Sequence, residues 1–225
     1  MAFQGYNGDN HLQKTSASGL VALDAPQSMC SWMYIANYGG TQSAFGVFRA
    51  AAAAIQIGTR DAGLKVWGWG NVTKILGPAT YQNVWFHMAW TYDGSNNRLY
   101  YNGAEAVAPN AGTQQTGMPD QILFSGYNLT AFETFTGNLD DVRFYNRCLS
   151  QDEVNTIYLT QSKDCIVSGL ISRWVFNEKS TGNQISVAVD LAGNGNNLVP
   201  VGGGASPSIY ADSIISSKRS IRNCY

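Results

Sequence analysis

The sequence predicts an all-β protein, an antiparallel sandwich with one short helix near residues 150–159. Three observations carry this. Short apolar and aromatic runs recur along the chain, separated by Gly, Asp-Gly and Pro punctuation instead of helical stretches. The 225 residues include 24 Gly, 12 Tyr and 6 Trp but only 13% charged residues, which suits many strands and tight turns around a large core. One segment alone joins a capping box, Ser150 with Glu153, to the i, i+3, i+4 stripe of Val154, Ile157 and Tyr158.

Alternation places strands, in order, near 10–14, 29–36, 45–48, 54–58, 64–69, 72–76, 85–92, 97–101, 121–126 and 139–145. Gly39-Gly40, Asp61-Ala62-Gly63, Gly77-Pro78, Asp93-Gly94 and the polar loop from Pro109 to Pro119 punctuate them. Asp93-Gly94 and Asn102-Gly103 tolerate positive φ and reverse the chain, so the segments before and after the first of them read as a hairpin. Leu139, Val142, Phe144 and Tyr145 supply the strand before the helix. Beyond the helix, Trp174 and Phe176 alternate with Val175, a strand with one heavily apolar face that has to be packed.

The length allows one large β domain or two small ones. A net charge of −1 favours neither phosphate backbones nor acidic membranes, so no nucleic-acid partner is expected. No apolar run approaches the roughly 20 residues that span a bilayer, and the Ala50–Ala54 tract is short and weakly apolar. The N-terminus has no basic region followed by a long apolar stretch, so no secretory signal is expected. Cys30, Cys148, Cys165 and Cys224 match no zinc spacing. With no sign of export they are expected as free thiols, Cys30 serving as a small apolar group in a core strand.

The stretch from Gly137 to Glu153, with its Asp140-Asp141-Val142-Arg143 centre, Tyr145-Asn146-Arg147 and Leu149-Ser150, closely resembles the signature of laminin-G-like domains in the concanavalin A-like lectin/glucanase superfamily. Trp85 to Ser95 with Leu99 to Gly103 resembles the family's central hairpin. Phe3-Gln4-Gly5, with Asn7 and Asn10, and Met29 to Tyr34 resemble two further family strands. The likeness implies the jelly-roll form of the sandwich. Leu170 to Glu178 and Asp190 to Asn197 resemble the family's opening strand and loop, yet here they come last. The order is either a circular permutation or the start of a truncated second unit. About 60 residues beyond the helix cannot build a complete second domain. The expected organisation is a sandwich over 1–160 and a C-terminal segment over 161–225 that completes it or docks on a neighbour.

Hydrolases of the superfamily set two carboxylates about 5 Å apart on one strand. Glu105, Glu133, Glu153 and Glu178 show no such arrangement, and adjacent Asp140 and Asp141 would point to opposite faces of a strand. His11 and His87 read as structural. No catalytic residue is therefore assigned, and the chain is expected not to be an enzyme. The resemblance implies one structural calcium at Asp140, with Asp9 as a weaker second ligand; otherwise Asp140 caps a loop or pairs with Arg143 or Arg147. Trp67 and Trp69, at i and i+2, either stack on a sugar from one sheet face or pack in the core. Lys218, Arg219 and Arg222 either dock on an acidic partner surface or belong to a solvated terminus.

The expected function is that of a non-enzymatic virion protein, as in phage proteins carrying this domain. It would decorate a capsid or form a fibre or tail appendage, made in the host cytoplasm and partnered by other virion proteins or by itself as a homo-oligomer. The alternative is a soluble, extracellular glycan-binding lectin module that takes surface glycans. A glycoside hydrolase comes third.

Overall fold

The computed structural model describes residues 2–5, 11–49, 53–60, 63–68, 71–78, 81–106, 108–126, 133–161, 164–176, 186–201 and 208–210. In chain order its strands begin with β1 (Ala2–Gly5), β2 (His11–Thr15), β3 (Gln27–Ile35), β4 (Gln42–Arg49), β5 (Ala53–Arg60), β6 (Gly63–Gly68), β7 (Asn71–Pro78) and β8 (Trp85–Tyr92). They continue with β9 (Asn96–Tyr101), β10 (Ala104–Glu105), β11 (Asn110–Ala111), β12 (Gln121–Phe124) and β13 (Gly137–Tyr145). Helix α1 (Gln151–Leu159) follows, then β14 (Leu170–Trp174), β15 (Val199–Val201) and β16 (Ser208–Tyr210).

Two antiparallel sheets form the sandwich. Sheet A runs β10-β9-β8-β3-β13-β1-β16, with β11 on β9 and β14 on β13; sheet B runs β15-β2-β12-β4-β5-β6-β7. Each strand expected from alternation is present, and the helix starts one residue after its Ser150 cap. The short strands β10, β11, β15 and β16 were not expected, because two or three residues are too few to show a period.

The core lies between the sheets. Met29, Met33 and Ile35 of β3, Phe86, Met88 and Trp90 of β8, and Leu139, Val142 and Phe144 of β13 face Phe45, Val47, Ile55, Ile57, Leu64, Val66, Ile122 and Phe124 of sheet B. Trp174 and Phe176 enter the same core. Trp174 meets Phe124 edge-on at 5.2 Å and Phe144 at 5.5 Å, and Phe176 meets Phe124 at 5.9 Å. The outer face of sheet A carries a second cluster, in which Val154 and Ile157 of α1 pack on Cys30, Ala89, Tyr100, Tyr145 and Leu149. The capping box holds the start of that helix: Ser150 Oγ accepts from the Glu153 amide and the Glu153 carboxylate from the Ser150 amide.

One edge of β13 is shared by two distant parts of the chain. β1 pairs with its first half, Phe3 opposite Leu139 and Gly5 opposite Gly137. β14 pairs with its second half, Trp174 opposite Val142 and Leu170 opposite Tyr145. Both run against β13, so β14 points along the line of β1 although it follows β1 by more than half the chain. The Asp190–Asn197 loop supports β14. Asp190 Oδ1 accepts from the amides of Arg173 and Ala192, its Oδ2 accepts from Asn196, and the Trp174 indole donates to the Asn196 carbonyl.

The cysteine expectation is corrected at one position. Cys30 and Cys148 are free, but Cys165 is disulfide-bonded, to a partner outside the described residues. Pairing needs Cα atoms within about 7 Å, a proximity that the fold creates and that linear spacing does not encode.

Candidate functional site

The joint between β1 and β14 is where the Asp140-Asp141 pair sits. β13 bulges there against β3, and Asp141 adopts φ +46°. The bulge separates the roles of the two carboxylates. Asp140 is fully buried, and its Oδ1 accepts the Asp141 amide. Asp141 pairs with Arg143 at 2.7 Å and with Arg173, while Arg143 makes a fork onto Asp164 at 2.8 and 2.9 Å. Arg143 and Asp141 are each 1% exposed. Burial alone would push Arg143 toward neutrality, but Asp141, Tyr145 and Asp164 hold it well above the ordinary guanidinium range. Burial likewise pushes Asp164 up, and the Arg143 fork brings it below the usual carboxylate range. Asp164 and Arg173 escaped sequence reasoning. The only legible hint was Asp141 with Arg143 at i, i+2 on one strand.

As a calcium site, Asp140 brings one carboxylate with one oxygen already used by an amide. Among the described residues, no group of three or more His, Cys, Asp or Glu side chains is placed to hold a metal. Asp9 lies outside the described residues.

Trp67 points away from the core. Its neighbours Leu64 and Val66 belong to the inter-sheet cluster, and Trp67 stands opposite Gln56 on the outer face of sheet B. That face also carries Gln13, Lys65, Phe48, Ala54 and Leu123, the last three forming their own apolar cluster. Trp67 is 4% exposed and Gln56 1%, and Gln56 Oε1 has no hydrogen-bond partner. Gly46 and Gly58 lie on the same face, where a Cβ would run into the backbone of the adjoining strands, so the strands approach too closely for any other residue. Trp69, Lys218, Arg219 and Arg222 lie outside the described residues.

The helix side of sheet A offers a different chemistry. A cavity of about 330 Å³ beside the start of α1 is lined by Arg98, Tyr100, Glu105, Cys148, Gln151 and Glu153, among others. Glu153 is committed there. Its oxygens take a bidentate Arg147 at 2.7 and 2.8 Å, and this pairing outweighs burial and holds the carboxyl below its usual range. A general acid needs the opposite shift. Nearer the end of the helix, His87 is 1% exposed, edge-on to Trp32 at 5.5 Å and beside Tyr158 at 6.3 Å. Neither ring nitrogen of His87 has a partner, and burial pushes its pKa down to about 3.

The comparisons with known proteins agree with this architecture. No curated protein matches the sequence. In structure, the chain is similar to a candidate carbohydrate-binding protein of Bacteroides ovatus, with TM-score 0.67 and 16% identity over 96% of this chain and 61% of that one. It thus spans about three fifths of that protein. It is also similar to the heptameric SAP-like pentraxin of Limulus polyphemus, with TM-score 0.59 and 15% identity over 91% of this chain and 94% of the pentraxin. At those identities the likeness is one of fold. In sequence, the laminin-G-type profile of the concanavalin A-like lectin/glucanases superfamily matches residues 7–155, which hold the hairpin of β8 and β9, the Asp-Asp-Val-Arg strand and the capped start of the helix. With its two antiparallel sheets and its matched sequence signature together, this chain belongs to the concanavalin A-like lectin/glucanases superfamily.

Proposed function

We propose that the chain is a glycan-binding module that holds sugar without hydrolysing it, on the outer face of sheet B. What supports this most is the sandwich shared with a candidate carbohydrate-binding protein; Trp67 and Gln56, side by side on that face at 4% and 1% exposure, are the pair whose substitution tests the location. An indole offers the apolar face of a pyranose a stacking surface, and an unmet amide oxygen offers a hydroxyl an acceptor. A candidate carbohydrate-binding protein with this fold supports the same class. Hydrolysis is disfavoured because Asp141 and Glu153 are each tied to arginine.

The test is a glycan array paired with a reducing-sugar assay on the array's strongest binder. Retention of a glycan without product release is expected, and Trp67→Ala and Gln56→Ala should each weaken binding at least tenfold. Product release would overturn the non-hydrolytic part. An array silent with and without calcium would leave the virion reading instead, with Lys218, Arg219 and Arg222 as the docking segment to examine.

A further inference from the structure

We infer that the chain carries a second pyranose site on the opposite face of the sandwich, in the aromatic corner formed by Tyr34, Trp85 and Asn138 on the outer face of sheet A. The inference rests on the glycan-binding reading but not on Trp67. The strand registers build the corner. Tyr34 stands opposite Trp85 across β3 and β8, and opposite Asn138 across β3 and β13, so all three side chains share one face. That face is the one α1 covers, since Trp32, two residues before Tyr34, touches Tyr158 of the helix at 5.7 Å. The helix ends at Leu159, and Tyr34 and Trp85 are only half-buried.

The corner has the two features a pyranose needs. The Tyr34 and Trp85 rings are 5.9 Å apart and tilted by 54°, two apolar walls that meet at an angle. One wall receives the C–H face of a sugar ring while the other borders its edge. The polar complement is already buried and waiting. Asn138 is 6% exposed and its Oδ1 accepts nothing; Trp32 is 5% exposed and its Nε1–H donates to nothing. An unmet acceptor and an unmet donor on neighbouring strands match a hydroxyl, which accepts and donates at once. The Tyr34 hydroxyl is held by Asn83 Oδ1 at 3.3 Å, which fixes the wall.

The test uses the full chain and methyl glycosides of glucose, galactose, mannose and N-acetylglucosamine, followed through the indole N–H signals, each assigned by a Trp→Phe variant. A glycoside is expected to shift the Trp32 and Trp85 signals. Trp85→Ala and Asn138→Leu should weaken that response at least tenfold while leaving any Trp67 response within twofold. Tyr34→Ala, at a half-buried ring, repeats the test should Asn138→Leu fail to fold. Shifts at Trp85 without shifts at Trp67 support this site and overturn the sheet B assignment. Shifts confined to Trp67 overturn this site and leave that assignment standing. Silence at both overturns both.

Discussion

His87 shows what burial does to one residue. The ring lies out of water between Trp32 and Tyr158, with no partner for either nitrogen, so the charged form is disfavoured and the pKa falls from 6.5 to about 3. The unfolded chain binds a proton that the folded chain refuses. The stability owed to this refusal is therefore complete above pH 6.5 and is lost as the pH falls toward 3. One proton corresponds to a slope of about 1.4 kcal/mol per pH unit. Denaturant titrations between pH 6.5 and 4 should show that slope in the parent, and His87→Phe should flatten it. A parent whose stability is level over that window would contradict the geometry. Arg143 shows the converse, a buried charge held by two carboxylates. Arg143→Met removes one arginine from Asp141 and the fork from Asp164, so a loss of about 3–5 kcal/mol is expected from chemical denaturation. A change below 1 kcal/mol would mean that water reaches the network. Asp140 has its own test: with calcium bound at this joint the melting temperature rises with added calcium and falls with chelator, and Asp140→Ala removes the difference. A calcium-blind melt disposes of the site.

Among the elements, β14 is decisive. Its Trp174 is fully buried against Phe124 and Phe144, its indole nitrogen donates to Asn196, and its backbone extends the edge that β1 leaves free on β13. Trp174→Ala removes a large ring that no neighbour can replace. It should cost about 3–5 kcal/mol, read as a lower denaturation midpoint with an unchanged slope. Helix α1 is secured differently, by its capping box and by Val154 and Ile157 on the sheet. Its ends are therefore less sensitive than β14, a loss of about 1 kcal/mol being typical for Ser→Ala at a cap.

At the scale of the molecule, the first and last thirds of the sequence close one sandwich. β15 pairs with β2 in sheet B, and β16 pairs with β1 in sheet A. A chain ending at residue 160 would lose β14, β15 and β16 together and open the core at Trp174 and Phe176. Deleting 161–225 is expected to give insoluble or molten protein. A monomeric 1–160 fragment with an unchanged melting temperature would show instead that the tail contributes nothing to the sandwich. The collinear run of β14 into β1 also explains how a segment resembling the family's opening strand serves from the far end of the chain. A sheet requires a strand at a place and in a direction, and is indifferent to when the chain supplies it.

The class of fold, the position of the long strands and the capped helix were determined by the sequence itself. Alternation, turn dipeptides and a capping box are local signals that act within a few residues. Trp67 was legible as one of a pair on a sheet face, but its surroundings depend on which neighbours sheet B presents: Val66 joins the inter-sheet cluster, while Trp67 stands opposite Gln56 and is 4% exposed. The Asp141 network depended on Asp164, 21 residues from Arg143, and on Arg173, 32 residues from Asp141, which meet the strand only through the tertiary fold. The aromatic corner was the least legible of all. Tyr34, Trp85 and Asn138 come from three strands far apart in sequence, and their adjacency is a product of register, a property that belongs to pairs of strands and never to one.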